Sequence, residues 1–184
     1  MSYHKAVINH ERRKWQNPEA ILSDIGLKSG LIVVDVGCGS GFFALPAARM
    51  VGELGRVYGL DADPESISSL QELAVAEGLN NLTLTLGKAE EVVVCEKCAD
   101  MVFFGIVLHD FQDPAKVLKN AKKMVKPTGR LINLDWKKEP MKLGPPLQKR
   151  FSPEEAARLI ETTGFAIEEI KDSGPYHYLV IASP

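Results

Sequence analysis

The sequence predicts an α/β fold, with one seven-stranded, mostly parallel sheet, helices on both faces and an antiparallel last strand. Two observations carry this prediction. Apolar runs rich in Val, Ile and Leu alternate with longer segments of helical periodicity, which is the pattern of a parallel sheet covered by helices. Only residues 172–175 separate the last two apolar runs, and four residues are too few for a parallel crossover. These two strands must therefore pair antiparallel.

The strands are recognised as short runs of apolar and β-branched residues, bounded by glycine, proline and polar residues. The first run, Leu-Ile-Val-Val-Asp-Val over residues 31–36, is almost entirely apolar, as expected for a strand covered on both faces. By the same pattern, strands are expected near residues 31–36, 56–60, 82–86, 101–105, 130–135, 165–171 and 176–182.

The helices between the strands are indicated by their ends. Four of them begin with a capping side chain followed by proline at the first helical position, at Asn17-Pro18, Asp63-Pro64, Asp113-Pro114 and Ser152-Pro153. Ser152 also has Glu155 three residues later, which makes a capping box. Helix ends are marked by Gly26, Gly78 and Gly164, and by Pro127 after the fourth helix.

Length and charge narrow the function classes. A chain of 184 residues is predicted to form a single domain, 1–184. Its 22 basic and 24 acidic side chains give a net charge of −2, so nucleic acid is disfavoured as a partner. No run approaches the ~20 apolar residues of a membrane span, and the first residues lack the apolar region of a signal peptide. These features predict a cytoplasmic protein without a membrane span.

Three cysteines, Cys38, Cys95 and Cys98, are too small and odd a set for a disulfide framework, so reduced thiols are expected. Cys95 and Cys98 have the spacing of a metal-ligand pair. A closed zinc site needs four ligands, however, and the sequence contains no second pair. No metal site is predicted.

The glycine turn, residues 37–41 (Gly-Cys-Gly-Ser-Gly), directly follows the first strand. Glycines here allow positive φ and let the backbone approach a ligand at the carboxyl edge of the sheet. The spacing differs from the dinucleotide fingerprint, because Gly41 follows Gly39 by two residues and Phe42 occupies the expected third-glycine position. Asp35, just before the turn, would repel a pyrophosphate but suits a ligand with an ammonium group.

A second carboxylate, Asp61, ends the second strand twenty residues after Gly41. At that point a carboxylate can accept two hydrogen bonds from a ribose diol. Asp63 competes for this role but is better explained as the cap of the next helix. Structural alternatives remain for both features: Asp35 can serve only to hold backbone amides, and the turn can simply be tight.

These motifs resemble those of class I S-adenosylmethionine-dependent methyltransferases, and most closely the ubiquinone/menaquinone-type small-molecule subgroup. The first and second motifs are matched by residues 34–41 and 57–61. Residues 104–110 are similar to the fourth motif, and 152–165 to the late helix and sixth strand. The resemblance covers about residues 20–184. It implies a Rossmann-like fold, S-adenosyl-L-methionine as cofactor, and methyl transfer to a small molecule by direct in-line displacement.

The resemblance also implies residue roles, with a helical segment over 1–30 capping a cofactor-binding core over 31–184. The glycine turn would hold the methionine portion, Asp61 the ribose and residues 87–90 the adenine edge, with Phe104 and Gly105 beneath the methionine end. Many family members carry an acid where Lys88 stands, and lysine can only donate, so the Ala89 amide and Glu90 are the substitutes. The implied cofactor-binding residues are Asp35, Gly37, Cys38, Gly39, Gly41, Asp61, Ala62, Ala89, Glu90 and Gly105.

For the chemical step, His109 is the candidate base, since it follows the fourth strand and titrates near neutral pH. An equally supported alternative is a histidine that hydrogen-bonds a loop or caps a helix. Asp110 and Asp113 are weaker candidates. Nucleobase methylation is disfavoured, because the fourth motif lacks the Asn/Asp-Pro-Pro-aromatic run of enzymes that methylate amino groups of bases.

Two segments are candidates for the acceptor pocket, with Trp15 and Trp136 as substrate-contacting residues. The N-terminal segment also contains Tyr3, His4 and the basic run 12–14. The loop 137–151 carries five basic residues and one acidic residue, Glu139, which suits an anionic acceptor or is simply a solvated face. A second copy of the chain, in a homo-oligomer, is the remaining candidate. Two alternative functions stay open: an NAD-dependent oxidoreductase and a cofactor-binding protein without turnover.

Overall fold

The computed structural model describes residues 12–13 and 15–184. The strands are β1 (Ile32–Val36), β2 (Arg56–Asp61), β3 (Leu82–Leu86), β4 (Ala99–Gly105), β5 (Val125–Trp136), β6 (Ala166–Ser173) and β7 (His177–Ser183). The helices of the described part are α1 (Pro18–Asp24), α2 (Ala44–Val51), α3 (Pro64–Ala76), α4 (Pro114–Met124) and α5 (Pro153–Thr162). Short 3₁₀ turns lie at Leu108–Asp110 and Leu147–Lys149.

The strands form one sheet in the order β3-β2-β1-β4-β5-β7-β6. The pairs β1–β2, β2–β3, β1–β4 and β4–β5 are parallel, whereas β7 runs antiparallel to both β5 and β6. The predicted sheet, including its antiparallel last strand, is confirmed. The strand order reverses at β1, since the chain continues from β1 to β2 on one side and later returns to β4 on the other. Sheets of this type bind ligands in the crevice at the carboxyl ends of the two strands where the order reverses, here β1 and β4.

Helices cover both faces of the sheet, as predicted. On one face, Val33 and Phe103 pack with α1, α2 and α3 in a single buried core. On the other face, Val34 and Phe104 pack with α4 and α5 in a second core. The alternation of side chains along each strand decides which core a residue enters. Asp35 alternates with Val34, so it lies on the first face.

The predicted helix starts are confirmed. Asn17, Asp63, Asp113 and Ser152 each accept a backbone N–H of the following helix, and Ser152 and Glu155 form the reciprocal capping box. Such a cap contributes about 1 kcal/mol to helix stability. The helix-terminating glycines Gly26, Gly78 and Gly164 have φ of 84°, 67° and 90°, where residues with side chains are strained.

The expectation for Cys95 and Cys98 is wrong. These two residues form a disulfide, whereas Cys38 is free and buried. The turn between them brings their Cα atoms to 6.0 Å, and Lys97 adopts a left-handed conformation with φ of 47° within it. A tight local turn of this kind is not visible in the residue spacing alone.

The N-terminal residues 1–11 and 14, including Tyr3, His4 and Lys14, lie outside the described residues. The division into a helical segment 1–30 and a core 31–184 stays a prediction, although α1 falls within the first segment. Within the described ranges, we find no helix whose length and apolar character would suffice for a membrane crossing.

Candidate functional site

Two adjoining cavities open at the carboxyl edge of the sheet. The larger cavity, of about 450 Å³, lies between the ends of β2 and β3 and the segment 107–116. The smaller, of about 280 Å³, lies between the glycine turn, the end of β4 and Arg12. Gly37 and Val107 line both cavities, so one elongated ligand can occupy the two together.

The glycine turn presents backbone rather than side chains to these cavities. Gly37, Gly39 and Gly41 have φ of 74°, 52° and 89°, all in the left-handed region that favours glycine. A Cβ atom on Gly37 would lie 2.5 Å from Cγ2 of Val107, which is too close for any larger residue. The three glycines are therefore needed for the conformation of the turn. Gly37 is also needed because the loop that follows β4 approaches it closely at Val107.

Asp61 is held at the end of β2 by two backbone amides. Its carboxylate accepts the N–H of Gly39 at 2.7 Å and the N–H of Asp63 at 2.9 Å. It lines the larger cavity, and each carboxylate oxygen retains further acceptor capacity. Asp63 caps α3 through the N–H groups of Glu65 and Ser66, as predicted.

Asp35 is a buried carboxylate that faces the smaller cavity. Its side chain is only 2% exposed, and its Oδ2 has no hydrogen-bond partner among the described residues. Burial and the nearby charge of Asp61 raise the pKa of Asp35 to about 7, against an opposing effect of Arg12. An unpaired buried carboxylate is costly, so this position favours a ligand that brings a cationic hydrogen-bond donor.

The larger cavity is acidic. Its described lining contains five carboxylates, on Asp61, Glu90, Glu91, Asp110 and Asp113, and two cations, on Lys88 and Lys116. Like charges repel, so this balance disfavours a pyrophosphate and accepts an uncharged nucleoside. The charges thus disfavour a phosphate-bearing ligand in the larger cavity and favour an ammonium group in the smaller.

Comparison with known proteins agrees with this geometry. A family model described as a methyltransferase domain matches residues 27–171. A solved S-adenosylmethionine-dependent methyltransferase from Aquifex aeolicus is 32% identical, with a TM-score of 0.88 over 93% of this chain and 91% of that one. The chain belongs to the class I S-adenosylmethionine-dependent methyltransferases.

Curated relatives of this methyltransferase include two demethylmenaquinone methyltransferases. The protein from Geobacillus kaustophilus is 30% identical over 131 residues, which cover 71% of this chain and 55% of that protein. The protein from Bacillus mycoides is 32% identical over 131 residues, covering 71% of this chain and 54% of that protein. The chain therefore spans about half the length of these relatives. Neither they nor the solved structure favours the NAD-dependent alternative.

Nine of the ten residues predicted to bind the cofactor line the two cavities of this methyltransferase. Gly41 is the exception, since it packs beneath the turn against Leu45 and Leu70. Lys88 lines the larger cavity with an exposed side chain near Glu91. The smaller cavity is lined by Asp35, Gly37, Cys38, Gly39 and Gly105, and the larger by Asp61, Ala62, Ala89 and Glu90. Gly37 lines both.

Residues 87–90, expected at the adenine edge, are held by hydrogen bonds from α4 and from the segment before it. Asn120 of α4 donates through Nδ2 to the carbonyl oxygen of Ala89 at 3.0 Å. Glu90 accepts the N–H of Gln112 at 3.3 Å, which links the two walls of the larger cavity. Glu90 thus already uses one carboxylate oxygen within the protein. Phe104, expected beneath the methionine end, is fully buried and packs against Phe111.

His109 forms a buried pair with Asp135 of β5. Their Nδ1 and Oδ1 atoms are 2.7 Å apart, and the imidazole is 4% exposed. Burial opposes protonation of His109, but the hydrogen bond and charge of Asp135, with the charge of Asp110, outweigh it and raise the pKa of the imidazole. Nε2 lies 3.4 Å from Oδ2 of Asp110, a lining residue of the larger cavity.

Trp15 and Trp136 come together in an aromatic cluster with Tyr176 and His177. The ring centroids of the two tryptophans are 5.7 Å apart, and the Trp15 ring stacks on that of His177 at 5.7 Å and 13°. Burial, assisted by the positive charges of Arg12, Lys137 and Arg150, lowers the pKa of His177 to about 3, so its ring is neutral. Trp136 is buried in this cluster and lines neither described cavity.

Most of the basic side chains of the loop 137–151 have partners within the protein. Arg150, 4% exposed, donates to the carbonyl oxygens of Pro145, Lys137, Glu139 and Leu143 at 2.8–3.1 Å. Of the loop's lysines, Lys138 pairs with Glu155, Lys137 with Asp172 and Lys149 with Asp110. Three of the loop's five cations are thus paired with carboxylates, which weakens the argument for an anionic acceptor.

Some site residues escaped the sequence analysis. Val107, Phe111 and Gln112 line the larger cavity, and Ile106 lines the smaller. Ile106 has φ of 65°, a strained value for a β-branched residue of the kind found at functional sites. Their position just after a strand end was the available signal. The pairing of Asp135 with His109 had no signal in the sequence, because it joins residues 26 positions apart.

Proposed function

We propose that this chain transfers the methyl group of S-adenosylmethionine to a small-molecule acceptor by direct in-line displacement. The observation that carries the proposal is the pair of joined cavities, with an unpaired buried carboxylate, Asp35, in one and a second carboxylate, Asp61, in the other. The cofactor supplies an electrophilic methyl group on a sulfonium. The protein therefore needs chiefly to align the reactants and exclude water.

The residues have distinct tasks in this proposal. Asp35 binds the ammonium group of the cofactor, and Asp61 accepts hydrogen bonds from its ribose hydroxyls. Residues 87–90 border the adenine, and Gly37 gives the cofactor room between the two cavities. Gly105 keeps the end of β4 free of a side chain, where a Cβ atom would lie 2.7 Å from Phe43.

We further propose that the acceptor loses a proton and that His109 takes it. Asp135 would act as a positioning residue, because it holds Nδ1 and leaves Nε2 as the atom that can exchange a proton. The raised pKa of His109 makes it a stronger base than an exposed histidine. The alternative, in which this pair only ties β5 to the loop after β4, predicts an active enzyme without the imidazole.

The acceptor class we propose is a hydroquinone-like aromatic. The chain shares 30–32% identity with demethylmenaquinone methyltransferases, and three of the five cations of the 137–151 loop are already paired with carboxylates. A hydroxyl of such a ring can give up the proton that the base removes. Trp15, which is half-buried, would contact the acceptor, with Trp136 packed behind it in the aromatic cluster. A cytoplasmic location and a homo-oligomer stay predictions.

The test begins with calorimetric titration of the purified protein with S-adenosylhomocysteine and, separately, NADH. Binding of the first alone is expected, and binding of NADH alone would contradict the proposal. Turnover is then measured as S-adenosylhomocysteine released with a reduced 1,4-naphthoquinone, a catechol, an amine and a thiol. Release with the hydroquinone is expected. Cofactor binding without release for any acceptor would support a binding protein without turnover.

A further inference from the structure

The smaller cavity contains two charged side chains of opposite sign that are not paired with each other. Asp35 comes from β1, and Arg12 from the segment before α1. Within the described residues, no ion pair joins them, yet each influences the pKa of the other. Oδ2 of Asp35 and Nη2 of Arg12 are both buried and without a hydrogen-bond partner there. The cavity thus offers one unused acceptor and one unused donor.

Arg12 is held in place by its other contacts. Its Nε donates to Oε1 of the buried Gln16 at 2.6 Å, and Gln16 in turn donates its backbone N–H to the Arg12 carbonyl at 2.9 Å. The guanidinium lies 3.9 Å from the ring centroid of Phe42 and 5.3 Å from that of Phe43. Stacking and one side-chain hydrogen bond orient the guanidinium, which lines the smaller cavity, and leave its Nη2 without a partner.

The unused donor on Arg12 is a charged one. Burial lowers the pKa of Arg12 to about 10 against the favourable charge of Asp35, so the guanidinium stays cationic at neutral pH. A buried donor on a charged group that lacks an acceptor is unfavourable. A ligand that presents a carboxylate to Nη2 would remove this penalty and form a charge-assisted hydrogen bond.

We propose that Arg12 binds the carboxylate of the cofactor's amino-acid end, while Asp35 binds its ammonium group. The proposal rests on the proposed function for the identity of the ligand. Two opposite charges that share a cavity without contacting each other match an α-amino acid zwitterion, whose two charged groups are carried on one carbon. Neither an uncharged ligand nor a cation alone would satisfy both residues.

This assignment has a consequence for the N-terminal segment. Arg12 accepts the N–H of Trp15 through its carbonyl at 3.2 Å, and Trp15 stacks on His177. A ligand carboxylate on Arg12 therefore holds the same turn that carries Trp15 into the aromatic cluster. Cofactor binding and the order of this turn are linked through one residue.

The test compares three ligands by calorimetry on the full chain. S-adenosylhomocysteine has both charged groups, its decarboxylated analogue keeps only the ammonium, and 5′-methylthioadenosine has neither. In Arg12→Gln, affinity for S-adenosylhomocysteine should fall about 10- to 100-fold, and affinity for the other two should stay within about twofold. Arg13→Gln is the matched control, since Arg13 is more exposed and pairs with Glu19. It should bind all three ligands as the unchanged protein does.

Methylthioadenosine serves as the internal measure of folding, because a misfolded variant would lose this ligand too. Equal losses for all three ligands in Arg12→Gln, or an unchanged affinity for S-adenosylhomocysteine, would overturn the proposal. Failure of the proposed function would look different: the unchanged protein would then bind none of the three.

Discussion

The carboxylate of Asp61 accepts the backbone N–H of Gly39 at 2.7 Å, which joins the end of β2 to the glycine turn after β1. The bond spans 22 residues and connects the two segments that border the cofactor cavities. Because it fixes Asp61 before any ligand arrives, the acceptor oxygens are preorganised. The same bond restrains Gly39, whose conformation is strained for other residues.

Asp61→Ala should therefore weaken binding of S-adenosylhomocysteine by about 1–3 kcal/mol, the range for losing a charge-assisted hydrogen-bond partner. Calorimetry measures the change. Asp63→Ala is the matched control. It removes the α3 cap and should lower the free energy of unfolding by about 0.5–2 kcal/mol, with little effect on the affinity for S-adenosylhomocysteine. Unchanged affinity in Asp61→Ala would remove Asp61 from the ribose role.

The buried Asp35 should make stability and binding depend on pH in opposite ways. Its folded pKa of about 7 lies above the value of about 3.9 expected in the unfolded chain. Its contribution to stability is thus fully present below the unfolded pKa and is lost as pH rises through the folded pKa. Without ligand, Asp35→Asn should have a higher melting temperature than the unchanged protein at pH 8 and nearly the same one at pH 4.

Binding should show the reverse trend, since only the ionised Asp35 attracts an ammonium group. Affinity of the unchanged protein for S-adenosylhomocysteine should fall as pH drops below about 7, and Asp35→Asn should bind weakly with a flatter profile. Asp61 and Arg12 are the charged groups that influence Asp35. If the affinity of Asp35→Asn for S-adenosylhomocysteine changes with pH as steeply as that of the unchanged protein, another group is responsible for the pH dependence.

Loss of the candidate base should affect turnover rather than cofactor affinity. His109→Ala is expected to lower kcat by about 10²- to 10⁴-fold, the range for removing a general base, with S-adenosylhomocysteine affinity nearly intact. Steady-state kinetics with the active acceptor measures this. Full activity in His109→Ala would make the purely structural alternative correct.

Asp135→Asn tests the positioning role separately. The rate should rise with pH through the His109 pKa, because the base must be neutral to accept a proton. Asp135 is the main factor that raises this pKa, so the rising limb should move to lower pH in the Asn variant. If the rate falls but the rising limb of the pH–rate profile stays at the same pH, Asp135 is not what raises the pKa of His109.

Arg150 should stabilise the conformation of the loop 137–151 rather than attract a charged acceptor. Hydrogen bonds to a charged group contribute about 1.5–3 kcal/mol each, and Arg150 donates to four carbonyls. Arg150→Gln should therefore reduce the free energy of unfolding by about 3 kcal/mol and speed proteolysis within 137–151. Lys142→Gln, at an exposed position of the same loop, is the control and should change neither. Intact resistance to protease in Arg150→Gln would contradict this role.

Much of the fold was predictable because its signals are local. Strand positions follow from apolar runs, helix starts from a cap before proline, and the antiparallel pair from a four-residue connection. The glycine turn and Asp61 were also predictable, since their spacing within one strand, turn and helix determines where they lie. Family resemblance extended these local signals to the cofactor.

By itself, the sequence determined the sheet, the two acids at its carboxyl edge and the class of cofactor. Only the tertiary structure decided which distant side chains meet there. The partner of His109 and the ion pairs of the 137–151 loop depend on how the chain folds between strands and turns. The approach of Arg12 to the cavity of Asp35 does so too. Contacts between residues far apart in sequence leave no local pattern, because they arise from the packing of separate elements on one sheet.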